Sequence, residues 1–134
     1  MQSLTAIILT RNEEKNIGEC LKSIQGFASR AVVVDCGSTD GTVDIAKSLG
    51  AEVIFHEFSY YAAQFNWAID NANIDTEWIL RLDADERLTP AVVEEAGMIM
   101  QSQEALAGEV NGITMESVFY FMGRPILHGL KKKR

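Results

Sequence analysis

What most constrains this chain is a set of short runs that are apolar almost throughout: Leu4–Leu9, Ala31–Val34 and Trp78–Leu82. A strand with one wet face alternates polar and apolar residues, whereas a strand that stays apolar is covered on both faces. Helical stripes lie between these runs. In Asn16–Ile24 the residues Ile17, Cys20, Leu21 and Ile24 share one side, and in Thr42–Leu49 the residues Val43, Ala46 and Leu49 do, with Gly50 as the stop signal. Val53–Phe55 reads as a further strand. Tyr61, Phe65, Ala68, Ile69 and Ala72 keep helical spacing, which predicts a helix over 61–71. Thr89-Pro90 pairs an N-cap with proline at the first helical position and opens a helix to about Gln101, with Val92, Ala96 and Ile99 inward. Gly112–Tyr120 returns to a strand. The order β-α-β-α-β-α-β-α-β predicts an α/β fold, a mostly parallel open sheet with helices on both faces.

A length of 134 residues fits one domain, and no internal repeat or linker divides it. No apolar run approaches the roughly 18 residues of a membrane span, and Met1-Gln2-Ser3-Leu4 lacks the basic start of a secretory signal. Twelve basic residues face nineteen acidic ones, a net charge of −7. Four of the basic residues are the last four, Lys131 to Arg134, so the body is more acidic still. Such a body suits no nucleic-acid backbone, and a phosphorylated ligand would need a cation between itself and the protein. The basic tail reads as a frayed, solvated end, or else as a peripheral contact with an anionic inner-membrane surface. Cys20 and Cys36 match neither a metal-ligand spacing nor a disulfide framework. They read as free thiols in a reducing compartment, which places the chain in the cytoplasm.

Ligands of open α/β sheets sit beyond the carboxyl ends of the strands, so the segments that follow each strand carry the functional question. After the first strand comes Thr10-Arg11-Asn12-Glu13-Glu14, after the second Asp35-Cys36-Gly37-Ser38-Thr39-Asp40-Gly41-Thr42, and after the fourth Asp83-Ala84-Asp85-Glu86. Residues two apart in extended chain point the same way, so Asp83 and Asp85 aim two carboxylates at one spot. Their repulsion is relieved by a hard divalent cation with oxygen ligands, Mg²⁺ or Mn²⁺. The plainer alternative is that Asp85 or Glu86 only favours the start of the next helix. Asp35 precedes its turn, is too early to cap a helix, and is placed to accept hydrogen bonds from a ribose or a base edge. Ser38, Thr39 and Asp40 also suit helix capping, and Glu13 or Glu14 the start of a helix. Gly37 permits close approach and unusual φ. No G-x-G-x-x-G follows the first strand, which argues against a dinucleotide site. Gln64 and Asn66 could reach the strand ends, Trp67 reads as packing, and Arg81, two before Asp83 on the same side, as a partner for the carboxylates or a phosphate. His56 and His128 have no nucleophile or metal-ligand partner at a recognisable spacing and read as ordinary partly buried residues.

Ile7–Glu14, Val33–Thr42 and Leu82–Glu86, in this order and spacing, resemble family 2 glycosyltransferases of the GT-A fold, a Rossmann-like nucleotide-diphospho-sugar transferase architecture. Gln64-Phe65-Asn66-Trp67-Ala68 and Asp-Ala-Asp-Glu are similar in particular to the lipopolysaccharide-core glucosyltransferase-like branch, and Phe121–Gly129 more weakly so. The resemblance implies inverting transfer of a sugar from a nucleotide-diphosphate donor, a UDP-sugar, to a glycan or lipid-linked acceptor in cell-envelope polysaccharide synthesis. It implies that Asp35 binds the uracil or ribose, that Thr10, Asn12 and Glu13 line the nucleoside pocket, and that Asp83 and Asp85 hold metal and diphosphate. With them, Arg11, Gly37, Ser38, Gln64, Asn66, Arg81 and Ala84 complete the expected donor site. Cys36 stands where many members carry a second aspartate. Members of the family continue well past this length, and their later segment holds the acceptor site and a catalytic carboxylate. Glu116 matches no family motif, so no residue here takes the role of general base. The expectation is thus one donor-binding domain over 1–134 that lacks much of the acceptor half, and that either acts as an enzyme or serves as a non-catalytic nucleotide-sugar module or inactive fragment. A sheet shortened in this way would leave apolar surface for a homo-oligomer.

Overall fold

The computed structural model describes residues 4–57, 61–102, 112–121 and 124–132, with side chains described up to residue 102 except at 61 and 62. The expected side-chain settings of Tyr61 and His128, and the ends of the basic tail at Lys133 and Arg134, lie outside that range.

Among the described residues strands and helices alternate up to a closing pair of strands: β1 (Leu4–Thr10), α1 (Ile17–Ser23), β2 (Arg30–Asp35), α2 (Thr42–Ser48), β3 (Glu52–Phe55), α3 (Tyr61–Asn71), β4 (Trp78–Asp83), α4 (Pro90–Met100), β5 (Gly112–Phe121) and β6 (Arg124–Lys132). They form one sheet in the order β3-β2-β1-β4-β6-β5. The first four strands run parallel, as the apolar runs predict. The remaining pair is an antiparallel hairpin whose second strand docks antiparallel on β4. That hairpin goes beyond the sequence reading in one place and corrects it in another. Pro125 and Gly129 speak against a strand, yet β6 spans both. The lysines at the end read as frayed, yet Lys131 and Lys132 pair with Ile79 and Trp78 in the sheet. Pro125 is tolerated because β6 meets β4 only over Leu130–Lys132, so the missing N–H faces no neighbour on that side.

Two cores sit on opposite faces. Leu4, Ala6 and Ile8 of β1 point to one face, against Ile17, Cys20 and Leu21 of α1 and its C-cap Ile24, Ala46 of α2 and Val92, Ala96 and Met100 of α4. Ile7 points to the other, against Ala68 of α3 and Ala72 just past its end. Ile7 and Ile8 are both fully buried, and burying a side chain of that size contributes about 1.5–3 kcal/mol. Met100, rather than the expected Ile99, completes the inward stripe of α4, and Thr89 caps that helix by accepting from the Val92 N–H at 3.2 Å. Gly50, at φ +86°, ends α2 in the left-handed region where a Cβ is penalised.

At the amino edge of the sheet Arg30 ties three segments together. Its Nε and Nη2 donate to both Glu52 carboxylate oxygens at 2.7 and 2.8 Å, and its Nη1 and Nη2 donate to the carbonyls of Asn73 and Ala72 at 2.9 Å each. The far end of α3 is thereby pinned to β2 and β3, which fixes where its first turn meets the carboxyl edge. Replacing Arg30 with alanine is expected to lower the unfolding free energy by about 1–2 kcal/mol, because two carbonyls and a carboxylate lose charge-assisted donors. Urea denaturation checks this as a lower midpoint with an unchanged slope.

Candidate functional site

Strand register brings the polar strand ends together. At its carboxyl end β1 lies between β2 and β4, with Thr10 in register with Asp35 and Leu9 with Asp83. Asp35 and Asp83 therefore flank β1, two strand spacings or about 10 Å apart. A cleft of about 220 Å³ opens here, lined by Leu9, Thr10, Arg11, Glu13, Val34, Cys36 and Gln64.

The loops after β1 and β2 are laced to one another. The Asn12 N–H donates to Ser38 Oγ at 2.8 Å, and Asn12 Oδ1 accepts from the Thr39 N–H at 2.8 Å. The Glu13 N–H donates to Thr42 Oγ1 at 2.8 Å, and the Gly41 N–H donates to Glu14 Oε2 at 2.9 Å. Asp40 accepts from the backbone and hydroxyl of Thr42 and from the Glu14 N–H. Asn12 sits at φ +54°, a left-handed conformation asparagine tolerates better than most residues. The polar motifs read as ligand-binding segments are thus, in good part, each other's partners. Asp40 braces the start of α2 from one residue before its N-cap, which is Gly41 and carries no side-chain cap, while Thr39 is held by Asn12. Glu13 accepts the backbone N–H groups of Asn16 and Ile17 on its carbonyl and Asn16 Nδ2 on its carboxylate, so it shapes the entry to α1 while lining the cleft.

Asp35 is more occupied than its position in the sequence suggests. It does not cap a helix, but its carboxylate closes the turn that follows it. Oδ1 accepts from Thr10 Oγ1 at 2.8 Å and Ser38 Oγ at 2.5 Å, and Oδ2 accepts from the Gly37 and Ser38 N–H groups at 3.0 and 2.8 Å. Gly37 makes this turn at φ +108°, in a region side chains rarely adopt. Only 4% of Asp35 is exposed, and all four lone-pair directions of its carboxylate are engaged within the chain. Its role in the free protein is to set the cleft wall, whereas Cys36, the next residue, lines the cleft itself with its thiol on the Thr10 carbonyl at 3.2 Å. Burial and the neighbouring Asp35 charge push the Cys36 thiol upward.

On the other side of β1 the ligand atoms of Asp83, Asp85 and Glu86 all lie within 4.8 Å of one another. Glu86 is 2% exposed and its Oε1 accepts the Asp83 N–H at 2.9 Å, folding the acidic turn back on the end of β4. Burial, and then the charge of Asp83, push the Glu86 carboxyl up to about 8. Beneath the cluster the Cys20 thiol reaches the Asp83 carbonyl at 3.6 Å, and burial followed by the charges of Glu86, Asp83, Asp85 and Glu13 raises its pKa, so it stays a protonated, inert thiol. Three hard oxygen donors crowded this closely fit Mg²⁺ or Mn²⁺, which would offset the mutual repulsion of their charges.

The other expected site residues divide. Gln64 reaches the cleft and is 1% exposed, held by His56, whose Nδ1 is 2.7 Å from Gln64 Oε1 and whose carbonyl accepts Gln64 Nε2 at 3.1 Å. His56, which the sequence leaves unremarkable, in turn stacks on Trp67 with ring centroids 4.0 Å apart and donates its backbone N–H to the Asp35 carbonyl. Asn66 is exposed on α3 and does not line the cleft. Ala84 is buried beneath the acidic turn. Arg81 lies over the Phe65 ring, 5.8 Å from its centroid, and among the described residues forms no ion pair with the carboxylates, the first of the two partners the sequence allows it.

The fold is that of the GT-A glycosyltransferases. Mannosyl-3-phosphoglycerate synthase from Rubrobacter xylanophilus superposes with a TM-score of 0.65 at 21% identity, over 83% of this chain and 38% of that one. Glucosyl-3-phosphoglycerate synthase from Mycobacterium tuberculosis, in a complex with Mn²⁺, UDP and glucosyl-3-phosphoglycerate, does so with a TM-score of 0.61 at 18% identity, over 83% and 42%. The sequence matches the model of glycosyl transferase family 2 over residues 5–134, and the chain belongs to that family. Among its relatives, an uncharacterized glycosyltransferase of Rickettsia typhi is 36% identical over 102 residues, 76% of this chain and 34% of the relative. The lipopolysaccharide core biosynthesis glycosyltransferase LpsC of Rhizobium meliloti is 31% identical over 110 residues, 78% and 40%. The chain thus spans between a third and two-fifths of the length of these relatives.

The Asp35 turn generates a pH prediction. Burial opposes its charge, but the bonds from Ser38, Thr10 and Gly37 outweigh that cost and hold the carboxyl below the ordinary value of 3.8. A depressed carboxyl contributes stability that is present above the unfolded value and lost as pH falls through the folded one. Asp35→Asn is expected to cost about 1–3 kcal/mol at neutral pH, because the amide turns a donor toward N–H groups that need an acceptor. It should also remove part of the acid-induced loss below about pH 4, measured by denaturant unfolding across a pH series.

Proposed function

We propose that this chain binds the donor of an inverting glycosyl transfer: a nucleotide-diphosphate sugar, specifically a UDP-sugar, whose sugar passes to a glycan or lipid-linked acceptor in cell-envelope polysaccharide synthesis. The observation that carries this reading is the joining, across Leu9 and Asp83, of a cleft of nucleoside size to a cluster of three carboxylates. In it, Thr10, Arg11, Asn12, Glu13, Asp35, Gly37, Ser38 and Gln64 form or shape the nucleoside pocket. Asp83 and Asp85 hold Mg²⁺ or Mn²⁺, with Glu86 beneath them. Bound there, the cation supplies positive charge against the diphosphate, which an acidic protein could not otherwise approach. The name of LpsC supports a cell-envelope role, and the Mn²⁺–UDP complex of the mycobacterial neighbour supports the donor class. Two free cysteines among the described residues suit a cytoplasmic setting, where nucleotide sugars would be met. The acceptor hydroxyl needs a general base, worth about 10²–10⁴-fold, and none of the described side chains is assigned that role.

Calorimetric titration with UDP, with and without Mn²⁺, tests the proposal. Binding in Mn²⁺ should weaken by about tenfold or more, the equivalent of about 1.4 kcal/mol, when metal is removed or Asp85 is replaced by alanine. Equal affinity in all three conditions would overturn the metal assignment, and no binding in any of them would overturn the donor assignment.

A further inference from the structure

The carboxylate cluster and the cleft lie on an acidic body, yet among the described residues Arg81, on the same face of the sheet, forms no ion pair with a carboxylate. Arg81 stands two residues before Asp83 on β4, in register with Ile7, as Asp83 is with Leu9. Ile7 packs in the core beneath α3, so Arg81 and Asp83 both face α3, the side on which Gln64 forms the cleft wall. Arg81 is exposed, and its guanidinium sits 5.8 Å from the centroid of Phe65, the residue that follows Gln64. Two residues of strand advance about 7 Å, within the reach of an arginine side chain, so the guanidinium and the acidic turn can address the same ligand. Arg81 has carboxylates within its own strand and turn, but it rests on an aromatic face instead. Cation–π contact orients a guanidinium while leaving its N–H fork free for an anion.

Building on the donor assignment above, we infer that Arg81, propped on Phe65, binds the diphosphate of the donor as a positioning cation opposite the Asp83–Asp85 carboxylates. Its planar fork suits bidentate hydrogen bonding to phosphate oxygens. The two sides of the diphosphate are then held by unlike means, with a cation bound by the acidic turn on one side and a fixed guanidinium on the other. Phe65 serves as the platform that keeps the guanidinium from collapsing onto the carboxylates, where it would compete with the metal.

The test compares UDP, by calorimetry in Mn²⁺, with uridine, by NMR titration, on the full chain and on the variants Arg81→Gln, Arg81→Lys and Phe65→Leu, each checked by thermal unfolding. Arg81→Gln should weaken UDP by about tenfold and flatten the salt dependence of its binding, leaving uridine unchanged. Arg81→Lys should recover part of that loss, and Phe65→Leu should weaken UDP by about two- to threefold through lost orientation. UDP affinity in Arg81→Gln equal to the parent's would overturn the inference while leaving the donor site standing. An equal loss for uridine and UDP would overturn it too, since a diphosphate contact cannot act on the nucleoside alone. Failure of the unaltered chain to bind UDP would overturn the donor assignment and this inference together.

Discussion

The hydrogen-bonded pair of Thr10 and Asp35, at the last register position of β1 and β2, is the joint on which the site depends. A carboxylate buried to this degree is costly unless every lone pair is met. Asp35 meets that demand with the hydroxyls of Thr10 and Ser38 and the N–H groups of Gly37 and Ser38. In doing so it ends two strands at the same level and sets the direction in which both following loops leave the sheet. Asn12, Glu14, Asp40 and Thr42 then lace those loops together, so the cleft between β1, β2 and α3 has a wall organised in advance of any ligand. A site held this way loses less entropy on binding than one closed by the ligand.

Electrostatics divides that edge into two regimes. On the β2 side negative charge is neutralised internally by donors, and the Asp35 carboxyl is held low. On the β4 side three carboxylates face each other, and Glu86 is driven up by burial and by Asp83. The first regime is satisfied within the chain, and the second leaves three carboxyl groups close together. The acidic turn is nonetheless well placed, because Glu86 folds back on the Asp83 N–H and Cys20 lies against the Asp83 carbonyl from α1. Strain of like charges is thus confined to one turn and supported from below by a neutral thiol.

Much of the scaffold was legible from residue pattern. The apolar runs of β1, β2 and β4 could only be strands covered on both faces, and Thr89-Pro90 announced α4. The hairpin was not legible, because Pro125, Gly129 and the terminal lysines each oppose a strand locally, and only the open edge of β4 makes one worthwhile. Within the site, the two-residue period of extended chain was the ground for pairing Asp83 with Asp85, but β4 ends at Asp83, and the turn through Ala84 and Asp85, closed by the Glu86 N–H on the Asp83 carbonyl, is what gathers these carboxylates. The engagement of Asp35 did not, since its donors include a hydroxyl 25 positions away. His56 was missed for the same reason: its meaning comes from Gln64 and Trp67, one turn apart on a helix that folds back over it.

By itself the sequence determined which residue types follow each strand, because polarity after an apolar run is a local property and the order of strands and helices sends every such segment to one edge. Tertiary structure alone decided how those residues divide between holding the fold and facing a ligand. Hydrogen-bond partners are chosen by distance in space, so Asp35 went to its own turn, Asn66 to solvent and Arg81 to the face of Phe65, none of which spacing along the chain could specify.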